Sequence, residues 1–211
     1  KPIATPEDFF KQTVQECYQL CLDNRLYKLM RRPKPNFFSA GIASEHLSRT
    51  SALLSVQMTC EASKVKDALE SVLTEVSRAR LFGFSAQELR IAKLNQIADM
   101  EQLYVERDQT YCTDARDELV QHFLRGDMVI GAGLEASLAI ACIEKVTLED
   151  VFQYAQEVSV SKSCMIRLQE GRKKTNEDDL REAVNRVAEK ERRGEIEENS
   201  ETFVVPERLM A

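Results

Sequence analysis

Gly131-Ala132-Gly133-Leu134-Glu135-Ala136 fits the GxGxxA pattern. Its glycines let a backbone turn tightly against a pyrophosphate at a helix N-terminus. Asp150, nineteen residues after Gly131, stands where an acid could take a ribose hydroxyl. Together they would make a dinucleotide-binding module. The surroundings argue against it. Only Met128, Val129 and Ile130 are available as the preceding strand, directly after Gly126-Asp127. Asp150 belongs to the helix-start sequence Thr147-Leu148-Glu149-Asp150 rather than to a strand end. No series of βα units surrounds the motif, so the glycines read as a loop before an ordinary helix.

Metal chemistry has little to work with. The histidines are His46 and His122 alone, and neither HExxH nor HxxEH occurs. His46 falls in a polar link between two strand-like segments, and His122 sits beside Phe123-Leu124 on a helix. No zinc site is expected within this chain, and no cofactor. The six cysteines, Cys17, Cys21, Cys60, Cys112, Cys142 and Cys164, contain no CxxC pair. All but Cys112 fall on apolar-periodic positions and read as reduced, buried thiols. That points to an intracellular reducing compartment or organelle rather than to secretion. Cys17 and Cys21 lie four apart on one helix, without the two further ligands a metal would need. There is no GxSxG, and the carboxylates mostly mark solvated helix faces rather than acid–base pairs.

Composition narrows the class further. A net charge of −6 argues against nucleic acid, whose phosphates call for clustered Lys and Arg. The most apolar run, residues 138–143, is far short of a bilayer span, so no membrane association is expected. With 43% hydrophobic and 30% charged residues, the chain can build a core and carry a solvated surface. It starts at Lys1 and is expected to be a piece of a longer protein.

The elements that must position any site follow from periodicity. Thr5-Pro6-Glu7-Asp8 is a helix start, with a capping Thr, Pro in the first turn and acids facing the positive dipole end. Phe10, Val14, Cys17 and Cys21 recur at helical spacing, and Pro33 and Pro35 end the pattern. Two strands are expected at 37–44 and 51–60, joined by the polar link 45–50 as an antiparallel pair. In the second, Ala52, Leu54, Val56, Met58 and Cys60 alternate onto one face.

Helices follow at about 63–81 and from Ser85 past Tyr104. Between them Gly83 suits a left-handed terminating position, and Ser85 with Glu88 makes a capping box. Further helices are expected around Leu119–Leu124 up to Gly126, at 134–146 and after Thr147, then a last strand at 163–169. From Gly171 the composition turns to mixed charge. Thr175 is expected to cap a solvated connecting helix with Leu180, Val184 and Val187 as a narrow apolar stripe, followed by an acidic linker. Residues 1–170 therefore read as one domain and 171–211 as a charged helix and linker, with residues 202–205 as an added strand or the start of a next segment.

Four local sequences, in order, resemble the pitrilysin/insulinase metallopeptidases. Asn24-Arg25-Leu26-Tyr27-Lys28-Leu29-Met30-Arg31 is similar to that family's "RL…LR" helix end, and Pro35-Asn36-Phe37-Phe38-Ser39-Ala40 to the strand start after it. Phe82-Gly83-Phe84-Ser85-Ala86-Gln87-Glu88-Leu89-Arg90-Ile91-Ala92-Lys93 is similar to "GftxxELxxAK", and Val146-Thr147-Leu148-Glu149-Asp150-Val151 to "VTxedV". The resemblance spans about residues 7–170. It implies an α+β fold, an antiparallel sheet packed against several helices in the manner of the LuxS and processing-peptidase type, with the first strand expected before Lys1.

In that family one domain carries the HxxEH zinc motif, and the domains after it enclose the peptide. The resemblance therefore implies a non-catalytic, substrate-enclosing domain of a zinc metalloendopeptidase. Its partners would be a preceding zinc-bearing domain of the same protein and a peptide substrate, with zinc held in the parent's catalytic domain. A catalytically inactive peptidase-like scaffold subunit is the alternative. The family often carries an Arg followed seven residues later by Tyr as substrate contacts. Here Arg31 is followed by Phe38, which lacks the hydroxyl that would stabilise an oxyanion. The two can shape a cleft, and the residues themselves read more simply as a helix C-terminal charge and a core aromatic.

Overall fold

The computed structural model describes residues 2–48, 51–109, 111–159, 165–172 and 175–199. Seven helices and one antiparallel hairpin form among them, so the fold is α+β. Helix α1 (Pro6–Met30) starts where Thr5 Oγ1 accepts the Asp8 N–H at 3.1 Å. It runs through the middle of the core. Its Cys17, Tyr18, Cys21, Leu22 and Leu26 are all fully buried. Around it pack strand β1 (Ser39–Ser48) and helices α2 (Val65–Phe82), α3 (Ala86–Glu106), α5 (Gly131–Lys145) and α6 (Leu148–Glu157). Tyr18 meets Phe84 and Tyr154 edge-on, with ring centroids 5.7 and 5.2 Å away. Such contacts each add about 0.5–1.5 kcal/mol beyond area burial.

The hairpin is tighter than the polar link suggested. Strand β1 runs on through residues 45–48, β2 is Ser51–Thr59, and the register slips once between His46 and Ser48. Gly41 to Ser44 pair with Gln57 to Leu54, and Leu54, Val56, Met58 and Cys60 lean on the core as their alternation required. Asp23 on α1 fixes the hairpin by accepting the Ile42 N–H at 2.8 Å.

The α2–α3 junction keeps its glycine for two reasons. Gly83 lies at φ 69°, ψ −149°, an extended positive-φ region open essentially to glycine rather than the left-handed helical one. A Cβ there would also sit 3.1 Å from Phe152. The capping box after it forms, with Ser85 and Glu88 each accepting the other's backbone N–H. Thr147 and Asp150 repeat the motif at α6.

Three expectations change. The strand at 163–169 is absent where it can be seen. Residues 165–170 are irregular, and Ile166 and Leu168, expected to alternate onto a buried face, are 37% and 38% exposed. Cys164 and residues 202–205 lie outside the described residues. Helix α7 (Glu177–Arg192) is capped by Asn176, one residue after Thr175. It is not simply solvated. Ala183 and Val187 are buried against Leu69 and Leu73 of α2, with Leu180 and Val184 beside them. Lys66 bridges Asp179 and Glu182 at 2.8 and 3.1 Å, and Arg186 meets Glu70 at 2.7 Å. Finally, Phe37 enters the core at 2% exposure while Phe38 stands 64% exposed.

Candidate functional site

A cleft of about 360 Å³ opens between α1, α3, α5 and β1. Helix α1 presents Thr13, Glu16 and Asp23 to it, α3 presents Gln96 and Asp99, and Ile143 closes the α5 side. These side chains converge because residues three and four apart share a helix face. Its volume falls within the range of small-ligand sites.

Two lining groups, Glu16 and Gln96, are held by each other and by Gln12 and Cys17 beside the cleft. Cys17 Sγ donates to Gln96 Oε1 at 3.0 Å, and Gln96 Nε2 donates to Glu16 Oε2 at 3.3 Å. Gln12 Nε2 donates to Glu16 Oε1 at 2.8 Å. Burial pushes the Cys17 thiol up to about 12, against the smaller downward pull of Lys93, so it stays a protonated donor. Burial also raises Glu16, opposed by the Gln12 hydrogen bond and aided by the charge of Glu135. Asp23 is raised by burial and partly restored by the Ile42 N–H. Among the described residues, the lining holds Glu16, Asp23 and Asp99 and no lysine or arginine. Chemically it is an acceptor surface, suited to N–H groups or a cation. The neighbouring Cys17 thiol does not line it and is far from the thiolate form a nucleophile needs.

Arg31 and Phe38 stand elsewhere, on either side of the α1–β1 connection. Arg31 is the C-cap of α1, and its N–H donates to the Tyr27 and Lys28 carbonyls, both at 3.2 Å. Its guanidinium lies 5.3 Å over the Tyr27 ring, and Nη1 donates to the Tyr27 hydroxyl at 2.8 Å. Phe38 is an exposed aromatic whose N–H donates to Thr59 O at 2.7 Å as the hairpin begins. Neither residue lines the acidic cleft.

The glycine-rich start of α5 is occupied by protein. Glu118 Oε1 accepts the Ile130 and Gly131 N–H groups at 3.2 and 3.4 Å, where a pyrophosphate would otherwise sit. Residues 128–130 are irregular rather than a strand. His122 Nδ1 donates to the Asp127 carbonyl at 2.6 Å. Among the described residues, no three His, Cys, Asp or Glu side chains are grouped to hold a metal ion.

Sequence reasoning missed the acidic cleft. Gln12, Glu16 and Gln96 are polar residues set among apolar-periodic ones, a local signal easily taken for a helix flank. The helix expected around Leu119–Leu124 up to Gly126 forms as α4 (Cys112–Arg125), with Gly126 as its C-cap. That helix has a clear apolar side but no buried residue; Leu119, Val120, Phe123 and Leu124 are all exposed, Phe123 at 85%. Its amphipathic spacing was readable, whereas the lack of anything covering that side was not.

No family model matches the chain. A zinc protease PQQL-like protein of Arabidopsis thaliana is 28% identical over 185 residues, covering 88% of this chain. The chain spans only 16% of that relative's length. Among solved structures, an insulinase family protease from Yersinia pestis superposes with a TM-score of 0.74 at 14% identity, over 89% of this chain and 41% of that one. The periplasmic protease PqqL from Escherichia coli superposes with a TM-score of 0.75 at 13% identity, over 100% of this chain and 23% of that one. At such identities the superpositions speak for the fold.

Proposed function

Since the chain is a domain of the pitrilysin/insulinase type, we propose that it is the non-catalytic, substrate-enclosing part of a zinc metalloendopeptidase whose HxxEH motif lies outside residues 1–211. The observation that carries this reading is the pairing of that fold with a sequence whose two histidines are 76 positions apart and belong to no HxxEH. A preceding zinc-bearing domain is its partner, and zinc is that domain's cofactor. The uncovered apolar side of α4 supports such a partnership, because an exposed run of this kind marks a protein contact. Arg31 and Phe38 contribute to the peptide cleft as a stacked cation and an apolar surface. Phe38 offers no hydroxyl, so it does not stabilise an oxyanion.

Elemental analysis of the purified chain tests this directly. The expected result is no stoichiometric zinc and no peptide hydrolysis. Retained stoichiometric zinc would overturn the reading. In the parent protein, Arg31→Ala and Phe38→Ala should raise KM for peptide with a smaller effect on kcat, as expected for contacts that bind substrate and transition state alike.

A further inference from the structure

Helix α3 is apolar on two opposite sides. Leu89 and Ala92 are buried in the core, and Met100 and Leu103 are half-buried on the same side. On the other side Ile91, Leu94 and Val105 are 43%, 54% and 71% exposed, and Ala98 is exposed with them. Ile91, Leu94, Ala98, Glu101 and Val105 succeed one another at alternating steps of three and four, the spacing by which one helix packs along another. The seam runs for about 21 Å. Asn95, Ile97, Gln102 and Tyr104 flank it, so Arg90 and Glu101 are the only charges in the band. A face turned to water alone would carry more of them in a chain that is 30% charged.

Glu101 interrupts the seam and decides what can cover it. Among the described residues no cation pairs with it. Under a purely apolar helix it would become a buried carboxylate without compensation, so the covering helix must set Lys or Arg against it. The chain's own α4 cannot do so, although Arg116 interrupts its apolar side in the same way. A Cβ on Gly133 would come within 3.4 Å of Arg107 Cδ, so α5 starts beside the end of α3. Folded back on the seam, α4 would finish beside Ile91, about 24 Å from that point. Residues 126–131 reach about 18 Å at most. The chain spans only 16% of the length of its PQQL-like relative, and a protein of that length has other helices to offer.

Resting on the reading of this chain as one domain beside a zinc-bearing neighbour, we propose that the outer face of α3 is the docking seam for a helix of that neighbour. The helix carries apolar residues at steps of three and four and a Lys or Arg against Glu101. Ala98 leaves room at the middle of the seam for a large apolar side chain, with Leu94 and Val105 on either side of it.

Thiol labelling of Leu94→Cys tests this, with the label quantified at residue 94 by mass spectrometry so that exposed Cys112 does not interfere. Labelling should be about ten-fold or more slower in the parent protein than in the chain. Adding Glu101→Lys sets cation against cation; it should restore fast labelling in the parent and leave the rate in the chain unchanged. Equal rates in chain and parent overturn the proposal. Slow labelling in the parent that Glu101→Lys does not relieve overturns it too, because no cation then faces Glu101. Labelling that is already slow in the chain, and quickens on dilution, makes a second copy the occupant and has the same consequence. The zinc content of the chain is measured apart from these rates, so failure of the proposed function and failure of the seam are told apart.

Discussion

Arg25 near the end of α1 and Glu88 in the first turn of α3 form a two-pronged ion pair, 2.7 and 2.9 Å, across 63 residues of sequence. The same Glu88 carboxylate caps the Ser85 N–H at 2.8 Å, and the same guanidinium holds the Gly83 carbonyl and lies 4.4 Å over the Phe84 ring. One pair thus ties the α2–α3 turn to the central helix. The side chains are 5% and 11% exposed, so this pair is shielded from the solvent that weakens surface bridges. Replacing Arg25 by Met leaves a buried carboxylate uncompensated and should cost about 3–5 kcal/mol. Replacing both residues by apolar ones should cost less than the single changes summed. A urea-unfolding double-mutant cycle checks this; strict additivity would show that the pair is not coupled.

Glu88 and Glu16 should tilt stability in opposite directions with pH. Burial raises Glu88, but the Arg25 hydrogen bond, the Ser85 N–H and the Arg25 charge outweigh it and hold the carboxyl below its usual 4.5. Its contribution is therefore present above the unfolded value and lost as pH falls through the lowered folded one. Glu16 is raised above 4.5, chiefly by burial. Its contribution is present below the unfolded value and lost as pH rises through the folded one. Glu16→Gln should therefore gain stability near pH 7 and gain nothing in acid. Glu88→Gln should lose it near pH 7 and flatten the acid limb. Denaturation midpoints across pH 3–8 give the test, and parallel profiles for the two variants would refute the assignment.

These relationships show what could be read from residue order. The Gly83 turn, the Ser85–Glu88 and Thr147–Asp150 boxes and the alternation of Leu54, Val56 and Met58 are local, each set within a few positions, and each forms. Gly83 has a second, non-local reason, because a Cβ there would crowd the Phe152 ring. The pairing of Arg25 with Glu88 and of Cys17 with Gln96 depends on how α1 lies against α3, which no spacing reveals. Phe37 and Phe38 differ only in parity, decided by where β1 leaves the core, so nothing local marks which is buried. Docking of α7 escaped notice because four apolar residues in a charged helix resemble a solvated face until Leu69 and Leu73 are placed opposite.

Gly83→Ala should destabilise the chain by about 1–3 kcal/mol through strained φ, with the 3.1 Å approach to Phe152 adding to it. Pairing it with Phe152→Leu separates the causes. Relief of part of the loss assigns that part to the contact, and what remains belongs to φ. Full recovery in the double variant would show that backbone strain contributes nothing.

The apolar side of α4 makes the sharpest distinction between this chain alone and the protein it belongs to. Phe123 is 85% exposed and α4 buries no residue, so Phe123→Ser should alter stability of the chain by no more than about 0.5 kcal/mol. In the longer protein the same change removes a covered aromatic, and the cost should rise to about 3 kcal/mol, as for a truncated buried ring. Hydrogen exchange should show the same contrast, with α4 amides exchanging readily in the chain and slowly in the parent. Equal exchange in both would mean that α4 stays uncovered, and would remove the main structural support for packing against a zinc-bearing neighbour through this side.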